Sequence, residues 1–568
     1  MKPTVAAGLH NLSRYQAAWL RRDVVAGLVL TALLVPQGMA YAELAGLPPI
    51  TGLYTTILCL VAYAIFGPSK ILVLGPDSSL GPMIAATILP LIVIGDDPGR
   101  AVALGSALAL LVGVIIAAAG IANLGFVADL ISKPTIIGYM NGLALTILVG
   151  QLPKLFGFSV DGDGFRAELS GFVRGVADGE TLGAALAIGV FGLVLILILG
   201  HWLPKIPGVL AAVVLSVAAS AAFDLAGRGV DVVGVLPQGL PPFTLPRVGL
   251  SDLGLLVGGA FGIALVSLAD TISTASAFAD RSGDEVDGRG EMIGIGAANL
   301  AAGLFQGFPV STSGSRTAVA AQAGAKTQVT GLVGAASIAL ILLFLPGLLQ
   351  DLPQPTLAAV VIAASLSLTD IPETLRLRRV RRTEFLLSVA AFLGVVLLGV
   401  LPGIALAVAL SIGNVFRRAW WPYQTTLGRV PGLAGYHDVT SYPNARLLPG
   451  CVIFRFDAPL FFANARTFRE QIRGIAAREP RPTWIIVAAE PITDVDTTAA
   501  DMLEELDVEL NARGISLVIA EMKDPVREKI ERYELTDTID PQHFFPTITQ
   551  AVKAYQRETG AEWQSPTS

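Results

Sequence analysis

The most informative part of this chain is Phe308-Pro-Val-Ser-Thr-Ser-Gly-Ser-Arg-Thr-Ala-Val319. It places four hydroxyls, a glycine and an arginine in six consecutive positions of a very apolar sequence, where polar groups are costly. Pro309 cannot donate a backbone hydrogen bond, and serine and threonine are good N-caps, so an extended segment that turns into a helix start is expected. Such a start carries unpaired N–H groups and the positive end of the helix dipole. The stretch therefore predicts half of an anion-binding site, and a polar loop between two spans is the plainer alternative.

The composition is that of a polytopic membrane protein. The 568 residues are 53% hydrophobic and 15% charged, with a mean hydropathy of +0.65. That charged fraction is well below the roughly 25% of soluble domains. The net charge of −6 and the lack of a basic patch with aromatic residues argue against a nucleic-acid partner.

Few residues in the sequence suggest covalent or metal chemistry. The two cysteines, Cys59 and Cys451, are far apart and the four histidines stand alone, so neither a disulfide framework nor a metal site is expected. The sequence contains no recognisable catalytic triad and no nucleotide-binding glycine loop. An enzyme is therefore not expected, and no cofactor is predicted.

Fourteen apolar segments follow one another along the first three quarters of the chain. They cover residues 24–46, 50–67, 71–94, 101–121, 126–151, 182–200, 207–223, 250–279, 291–304, 309–323, 327–348, 355–369, 384–400 and 401–418. Several are shorter than the roughly 20 residues that a full crossing needs. The segments near 71 and 309 begin with pieces rich in Pro, Gly, Ser and Thr. Both are predicted to be half-helices that reach only the middle of the bilayer.

Arginine clusters set the predicted orientation. They lie at Arg21 and Arg22, at 376–382, and at Arg417 and Arg418. With fourteen crossings all three clusters fall on one side, which the positive-inside rule identifies as the cytoplasm. We therefore expect a multi-pass protein of the plasma membrane with both chain termini in the cytoplasm.

The two halves of the apolar part echo each other at an offset of about 234 residues. Residues 74–79 enter the third segment much as residues 308–313 enter the tenth, and Gln37 and Asp270 are 233 positions apart. Seven spans per half is an odd number, so the halves must be inverted relative to each other. Inverted repeats place a site at the midplane, where their broken helices meet.

Beyond Trp420-Trp421-Pro422 the composition becomes that of a soluble α/β domain. Strands are predicted at 451–456, 484–488 and 515–520, and helices at 463–478 and 497–513. The predicted division is a cytoplasmic N-terminal segment (1–22), a transmembrane domain (23–421), a linker (422–434), an α/β domain (435–560) and a tail (561–568).

Several motifs resemble those of one family of anion transporters, the SulP sulfate-permease family. The signature-like motifs are Pro49-Ile-Thr-Gly-Leu-Tyr-Thr-Thr56, Val61-Ala-Tyr63 and Gly67-Pro-Ser-Lys70. Thr51 and Pro68 depart from the residues common there. The other similar stretches are Val35-Pro-Gln-Gly-Met-Ala-Tyr41, Ser313-Gly-Ser-Arg-Thr317 and, for the STAS domain of that family, residues 435–560.

The resemblance implies two inverted seven-span repeats with a uracil-transporter-like fold, joined to a cytoplasmic α/β STAS domain. One set of helices would form a core that holds the substrate, and another a gate that dimerises, so a homodimer in the lipid bilayer and elevator-like transport are expected. Members carry sulfate, bicarbonate, chloride, oxalate or dicarboxylates, with H⁺ or Na⁺ coupling in some branches. The expected substrate is sulfate, with bicarbonate or a dicarboxylate next. An anion channel or exchanger without cation coupling, or a nucleobase permease of similar fold, are the alternatives.

The candidate substrate-binding residues lie at the two helix starts and in the first span. They are Gln37, Tyr41, Ser78, Ser79, Ser311, Thr312, Ser313, Ser315 and Arg316. Gln37 offers an amide within an apolar run, and Tyr41 lies one helical turn later on the same face, although ordinary packing would also explain it. Arg316 lies just inside its helix start, so we expect an electrostatic role more than direct bidentate contact.

Two carboxyl groups are candidates for cation coupling. Asp270 lies within a span, where an acidic residue normally faces a cavity or a partner, and the resemblance links its position to coupling. It could carry a proton or, with hydroxyls such as Thr271, help to hold sodium; a salt bridge to Arg316 is the structural alternative. Asp77 is expected as an acidic N-cap of the third-segment half-helix, which is either protonated during transport or paired with Arg316.

Thr497 is a candidate regulatory residue. The resemblance places it where a phosphorylatable serine stands in related STAS proteins, at the turn 493–498, which also suggests a cytoplasmic partner for this domain. Asp494 and Asp496 would repel a phosphate there. A simple helix N-cap is the alternative role for Thr497.

Overall fold

The computed structural model describes residues 7–92, 98–124, 132–160, 164–203, 207–282, 286–535 and 538–564. The chain divides into two compact units, Met1–Ser411 and Ile412–Ser568, which are described separately. Residues 126–131 of the fifth predicted segment, the first six residues and the last four lie outside the described residues.

The first unit is helical, and each of the fourteen predicted segments contains an α-helix. The helices are α1 (Ala7–Ser13), α2 (Leu20–Leu44), α3 (Pro49–Phe66), α4 (Gly81–Ile88), α5 (Pro98–Ile121), α6 (Lys133–Phe156), α7 (Phe165–Ala177), α8 (Gly183–Trp202), α9 (Gly208–Phe223), α10 (Leu250–Ser282), α11 (Gly288–Leu304), α12 (Gly314–Gln322), α13 (Val329–Phe344), α14 (Gln354–Leu368), α15 (Ile371–Val380), α16 (Arg382–Leu398) and α17 (Val400–Trp420). Among the described residues, 8 helices are long and apolar enough to cross a membrane. Helices α1, α7 and α15 were not predicted, because α1 lies in the N-terminal segment and the other two lie in polar segments that connect the apolar runs.

Two helices of the first unit are half-length, as the sequence predicted. Helix α4 has 8 residues and α12 has 9. They therefore extend about 12–14 Å, less than half of a hydrocarbon core of about 30 Å. A two-residue strand precedes each of them: β1 (Leu74–Gly75) precedes α4, and β2 (Ser311–Thr312) precedes α12.

The helices pack in two groups. The core group comprises α2–α5 and α10–α13, in which α11 packs against α5 and α3, and α13 packs against α2. The gate group comprises α6, α8, α9, α14 and α16, in which α6 packs against α16 and α14, and the first part of α17, whose Gly403 lies against Val395 of α16. Each group takes half of its helices from either half of the chain, which is the arrangement of an inverted repeat.

Glycines allow the closest approaches inside each group. A Cβ added at Gly52 of α3 would lie 1.9 Å from the carbonyl oxygen of Gly38 of α2. One added at Gly138 of α6 would lie 1.9 Å from the carbonyl oxygen of Ser388 of α16. These contacts account for part of the high glycine content, because small residues let membrane helices approach closely.

The second unit contains a six-stranded sheet. Its strands are β3 (Gln424–Gly428), β4 (His437–Asp438), β5 (Cys451–Phe456), β6 (Trp484–Ala488), β7 (Ser516–Ala520) and β8 (Phe544–Phe545), in the order β4-β3-β5-β6-β7-β8. Strands β5 to β8 are parallel, and β3 is antiparallel to β5. The helices are α18 (Ala465–Ala476), α19 (Thr497–Asn511), α20 (Asp524–Arg532) and α21 (Ile548–Thr559).

The sheet extends beyond the predicted domain boundaries. Strand β3 lies within residues 422–434, which were predicted as a linker, and it hydrogen-bonds to β5. Gln564, in the predicted tail, exchanges backbone hydrogen bonds with Leu447. A short strand rich in polar residues shows no clear alternation of apolar and polar side chains. Such a strand is recognised by its pairing in the sheet and not by its own sequence.

Candidate functional site

The two half-helices meet at their N-terminal ends. Strands β1 and β2 pair antiparallel, with Leu74 opposite Thr312 and Gly75 opposite Ser311. The N–H of Ser313 donates to the carbonyl oxygen of Val73 at 3.1 Å. The sequence predicted that these segments come together, and the strand pairing holds them in register.

Buried side chains hold the strand before α12 from behind. The amide of Asn299 accepts from the N–H of Val310 at 2.9 Å and donates to its carbonyl oxygen at 3.3 Å. The hydroxyl of Ser267 donates to that same carbonyl at 3.0 Å, and the hydroxyl of Thr55 accepts from the N–H of Phe308 at 3.1 Å. The extended backbone before α12 lies among the packed helices, and side chains of the protein satisfy its hydrogen bonds.

A cavity of about 760 Å³ opens where the half-helices meet. Nine of the predicted site residues line it: Gln37, Tyr41, Asp77, Ser78, Ser79, Asp270, Thr312, Ser313 and Ser315. The opposite wall is mostly apolar and belongs to the gate group, with Met140, Ile196 and Val360. The cavity therefore lies between the core and gate groups, with the polar side on the core.

The cavity extends toward the face where α2 begins. Gln322, the last residue of α12, lines it. Just beyond α12, the backbone N–H groups of Lys326 and Thr327 donate to the carboxylate of Asp23 in the first turn of α2, at 2.6 and 3.2 Å. The cavity thus runs from the half-helix tips along α12 toward the face that carries Arg21 and Arg22.

Four polar residues of the cavity wall were missed in the sequence. They are Ser273, Thr274, Gln322 and Ser367. The helical period could have found Ser273 and Thr274, because they lie three and four positions after Asp270. Ser367 carried no such signal, since its place depends on how α14 packs against the core.

Three predicted residues do not line the cavity. Arg316 is 1% exposed, and its guanidinium donates to the carbonyl oxygens of Pro76 at 2.5 Å and Gly75 at 3.4 Å. Thr271 donates to the carbonyl oxygen of Ser267 at 2.6 Å. Ser311 is buried behind the tips. Arg316 therefore has no direct access to a solute in the cavity, and only its long-range charge can act on one.

The ion pair at this site differs from one of the alternatives. Arg316 pairs with Asp77, with Nη2 3.4 Å from Oδ2, and the alternative pair between Arg316 and Asp270 is not formed within the part of the chain described. Asp77 does not cap α4 itself, whose N-cap is Leu80. It caps the preceding turn instead, where its Oδ1 accepts from the N–H and the hydroxyl of Ser79 at 3.0 and 2.8 Å.

One hydroxyl bridges the two candidate coupling carboxyls. The Ser79 hydroxyl lies 2.8 Å from Asp77 Oδ1 and 3.2 Å from Asp270 Oδ2. A hydroxyl has a single hydrogen to donate, so it cannot satisfy two carboxylates at once. The hydrogen bonds among these three side chains are all satisfied when one of the two carboxyls carries a proton.

In the second unit, the proposed N-cap role of Thr497 is wrong. The side chain of Asp496 caps α19 by accepting from the N–H of Ala499 at 2.8 Å. Thr497 is the first helical residue and is exposed, and Asp494 pairs with Lys529 at 2.5 Å. A phosphate on Thr497 would lie at a helix N-terminus but next to the Asp496 carboxylate.

An inverted-repeat membrane fold with a polar cavity at two broken helices defines a multi-pass transporter. Residues 20–391 match the sulfate permease family and residues 442–551 match the STAS domain. The chain belongs to the sulfate permease family, whose transporters are not enzymes. Its fold is therefore that of two inverted membrane repeats followed by an α/β STAS domain, as the sequence predicted.

Named relatives agree with this assignment along the whole chain. A probable sulfate transporter of Mycobacterium tuberculosis is 42% identical over 97% of this chain and 98% of its own length. Sulfate transporter 1.3 of Arabidopsis thaliana is 30% identical over 95% of this chain and 85% of its own. The murine solute carrier 26 family member A9 anion transporter, solved in the inward-facing state, has 25% identity and a TM-score of 0.88 over 97% of this chain and 94% of its own.

Proposed function

We propose that this chain is a secondary transporter that moves a small anion across the plasma membrane, with sulfate as the first candidate and bicarbonate or a small dicarboxylate next. The pairing of β1 with β2, which aims two helix starts at one polar cavity, carries this proposal. The first N–H of α12 that bonds within the helix is that of Thr317, which donates to Ser313. The N–H groups of the preceding helix residues point toward the tip, where they favour an anion.

The charges at the tips support coupling to a cation. Asp77 and Asp270 can supply two negative charges, and Arg316 supplies one positive charge. Two unit charges 4 Å apart repel by about 4 kcal/mol at an effective dielectric constant of 20. A proton or a sodium ion at Asp270 would offset this repulsion when an anion enters, so we propose H⁺ or Na⁺ symport. Proton transfer needs only the carboxyls, and Thr271, whose hydroxyl donates to Ser267, keeps oxygen lone pairs for a sodium ion.

The two helix groups support an elevator-like mechanism. Both half-helices belong to the core group, and the facing cavity wall belongs to the gate group. Sliding of the core along the gate would therefore carry the tips and the bound anion together. We propose that the gate group forms the homodimer contact, and that the arginine-rich face, together with both chain termini, lies in the cytoplasm.

Transport by purified protein in proteoliposomes tests the proposal. Labelled sulfate, bicarbonate, succinate and uracil are offered separately, with and without an inward sodium gradient, at two external pH values. We expect concentrative sulfate uptake that is stimulated by a proton or sodium gradient. Uracil uptake would instead identify a nucleobase permease, and anion current without concentrative uptake would identify an uncoupled channel.

A pair of threonine variants assigns that uptake to the cavity. Thr312 lines the cavity, whereas Thr146 of α6 donates to its own helix at Gly142, at 3.0 Å. Thr312→Val should raise the KM for the anion, because it removes a hydroxyl donor at the tip. Thr146→Val is the matched control and should leave KM unchanged. Equal KM values in both variants would refute the assignment.

A further inference from the structure

The gate presents a buried phenol beside Asp270. Tyr139 of α6 is 3% exposed, and its hydroxyl has no hydrogen-bond partner among the described residues. A buried hydroxyl without a partner is unfavourable, so this one requires an explanation.

Tyr139 lines a small second cavity. This cavity of about 20 Å³ neighbours the larger one, since Met140 and Asp270 line both. Apart from Tyr139 and Asp270 it is lined by apolar side chains, namely Ile136, Met140, Val266, Ala269, Ile404 and Ala407. Its volume is close to what one water molecule occupies.

Asp270 lacks a dedicated donor in the core group. Among the described residues, its Oδ2 receives only the Ser79 hydroxyl at 3.2 Å, and that hydroxyl lies closer to Asp77, at 2.8 Å. Because the hydroxyl has one hydrogen, an ionised Asp270 needs a donor from elsewhere. Tyr139 is the polar side chain that the gate group brings to the small cavity.

We infer that one water molecule occupies the small cavity and links the Tyr139 hydroxyl to the Asp270 carboxyl, which makes Tyr139 a positioning residue for the coupling proton. A bare metal cation fits less well, because hard cations take about six oxygen ligands and only two side chains here offer one. This inference rests on the proposed cation coupling and adds a gate residue to it.

The bridge joins the two helix groups. Tyr139 belongs to the gate and Asp270 to the core, so the water link exists only in the present register of the groups. The link gives Asp270 a hydrogen-bond partner in this register and withdraws it after the core has moved, so the proton affinity of Asp270 differs between the two registers.

Other titratable groups around Asp270 have partners of their own or lie on other walls. From the elements packed nearby these are Asp77 before α4, Arg316 of α12, Tyr41 of α2, Arg100 of α5, which pairs with Asp252, and Glu291 of α11, which binds Tyr63. The residues of helix α17 that line the small cavity, Ile404 and Ala407, do not titrate. The Tyr139 hydroxyl is thus the group whose removal should act on Asp270 and leave the remaining pairs intact.

The test compares Tyr139→Phe with the wild type in the full chain. Anion uptake is measured as a function of pH, and we expect the pH of half-maximal uptake to rise by about one unit in the variant, the effect of losing one hydrogen bond to a charged group. Tyr54→Phe, on α3, is the matched control, since Tyr54 is buried but lines neither cavity, and its profile should not move.

Infrared difference spectra between acid and alkaline buffer give a readout that does not need transport. The carboxyl band of Asp270 is assigned by its loss in Asp270→Asn, and its frequency and titration midpoint should both shift in Tyr139→Phe. An unchanged band and midpoint would overturn the bridge, even if the variant transports more slowly. Uptake by the wild type that does not depend on pH would refute proton coupling, and the infrared titration would still decide the bridge.

Discussion

Asp77 binds Arg316 through one carboxylate oxygen and Ser79 through the other. We predict that Asp77→Asn lowers the KM for the anion about five-fold or more at neutral pH and flattens the pH dependence of uptake. The substitution removes one negative charge near the tips, while Arg316 keeps its positive charge. Two unit charges 4 Å apart interact by about 1 kcal/mol even in water, which corresponds to about five-fold in KM. Asparagine can still accept the Ser79 hydrogen bonds, so the turn before α4 should persist.

Initial uptake rates across anion concentration and pH provide the measurement for Asp77→Asn. Asp252→Asn is the matched control, because Asp252 also pairs with an arginine, Arg100 at 2.5 Å, but does not line the cavity. If Asp77→Asn shows the KM and the pH profile of Asp252→Asn, Asp77 plays no part in coupling.

In the STAS domain, Asp507 is buried on α19 at 2% exposure. Burial raises its pKa to about 6, although Asn511 donates to it at 2.9 Å. The folded state therefore holds this proton more tightly than the unfolded chain, so the domain is stabilised below the unfolded pKa and loses that contribution as pH rises through 6. We predict that Asp507→Asn stabilises the domain by about 1–2 kcal/mol at pH 7.5 and by little at pH 4.

Urea unfolding of a fragment spanning residues 422–568 provides the measurement, with the fluorescence of Trp484 and Trp563 as the signal. Asp501→Asn, at an exposed position of the same helix, is the control and should change stability little at either pH. A gain of equal size at both pH values in Asp507→Asn would show that ionisation is not the cause.

The types of the site residues could be predicted, but their contacts could not. Nine predicted residues line the cavity because hydroxyls and carboxyls inside apolar segments are costly unless they face a polar space. The direction of the Arg316 side chain was not predictable, since the carbonyl groups of Gly75 and Pro76 come from the other repeat. The phenol of Tyr139 gave no signal, because a lone tyrosine in a span is usually packing.

Among the secondary-structure elements, the two short strands position the whole site, and Asn299 fixes one of them. We predict that Asn299→Leu lowers the free energy of unfolding by about 1–3 kcal/mol, because the N–H of Val310 loses its buried partner. It should also raise the KM for the anion, since the start of α12 is no longer held against β1.

Asn141→Leu in the gate group separates stability from site geometry. Asn141 accepts from the N–H of Asp370 at 2.8 Å and donates to Thr374 at 3.0 Å, so its loss should cost a similar amount of stability. Its KM should remain that of the wild type. Thermal unfolding and uptake kinetics are measured on both variants. Equal KM values would mean that Asn299 stabilises the fold but does not position the anion site.

The half-helices were the elements that the sequence predicted best. Proline, glycine and hydroxyl residues at the start of an apolar run interrupt a helix for local reasons, so residues 74–79 and 308–313 could be recognised. Helices α7 and α15 were missed because their partial polarity resembles that of loops. Strand β3 was missed because its stability comes from pairing with β5.

On the scale of the whole first unit, cavities lie between the core and gate groups near both ends. Besides the cavity at the tips, a cavity of about 1330 Å³ lies where α2 ends, and it is lined by Glu43, Lys154, Asp231 and Gln354. None of the predicted site residues lines it. Two cavities on opposite faces of one interface are what a core that slides along a gate requires, because each face must give access in turn.

Cross-linking the groups should therefore stop transport. Glu43 of the core group accepts from Gln354 of the gate group at 2.8 Å, and we predict that Glu43→Cys with Gln354→Cys, joined by a short bis-thiosulfonate reagent, loses uptake and regains it on reduction. The native Cys59 and Cys451 are buried and should not compete for the reagent.

The matched pair for this experiment lies on one side of the interface. Lys133 of α6 and Glu373 of α15 meet at 2.9 Å, and α15 packs against α6 and α16, so joining cysteines at these two positions leaves the core free to move. Uptake should survive that cross-link. A rigid link across a moving interface must hold one register and block the other. If the fully cross-linked Glu43 and Gln354 variant transports as fast as the cross-linked Lys133 and Glu373 variant, the core does not slide along the gate.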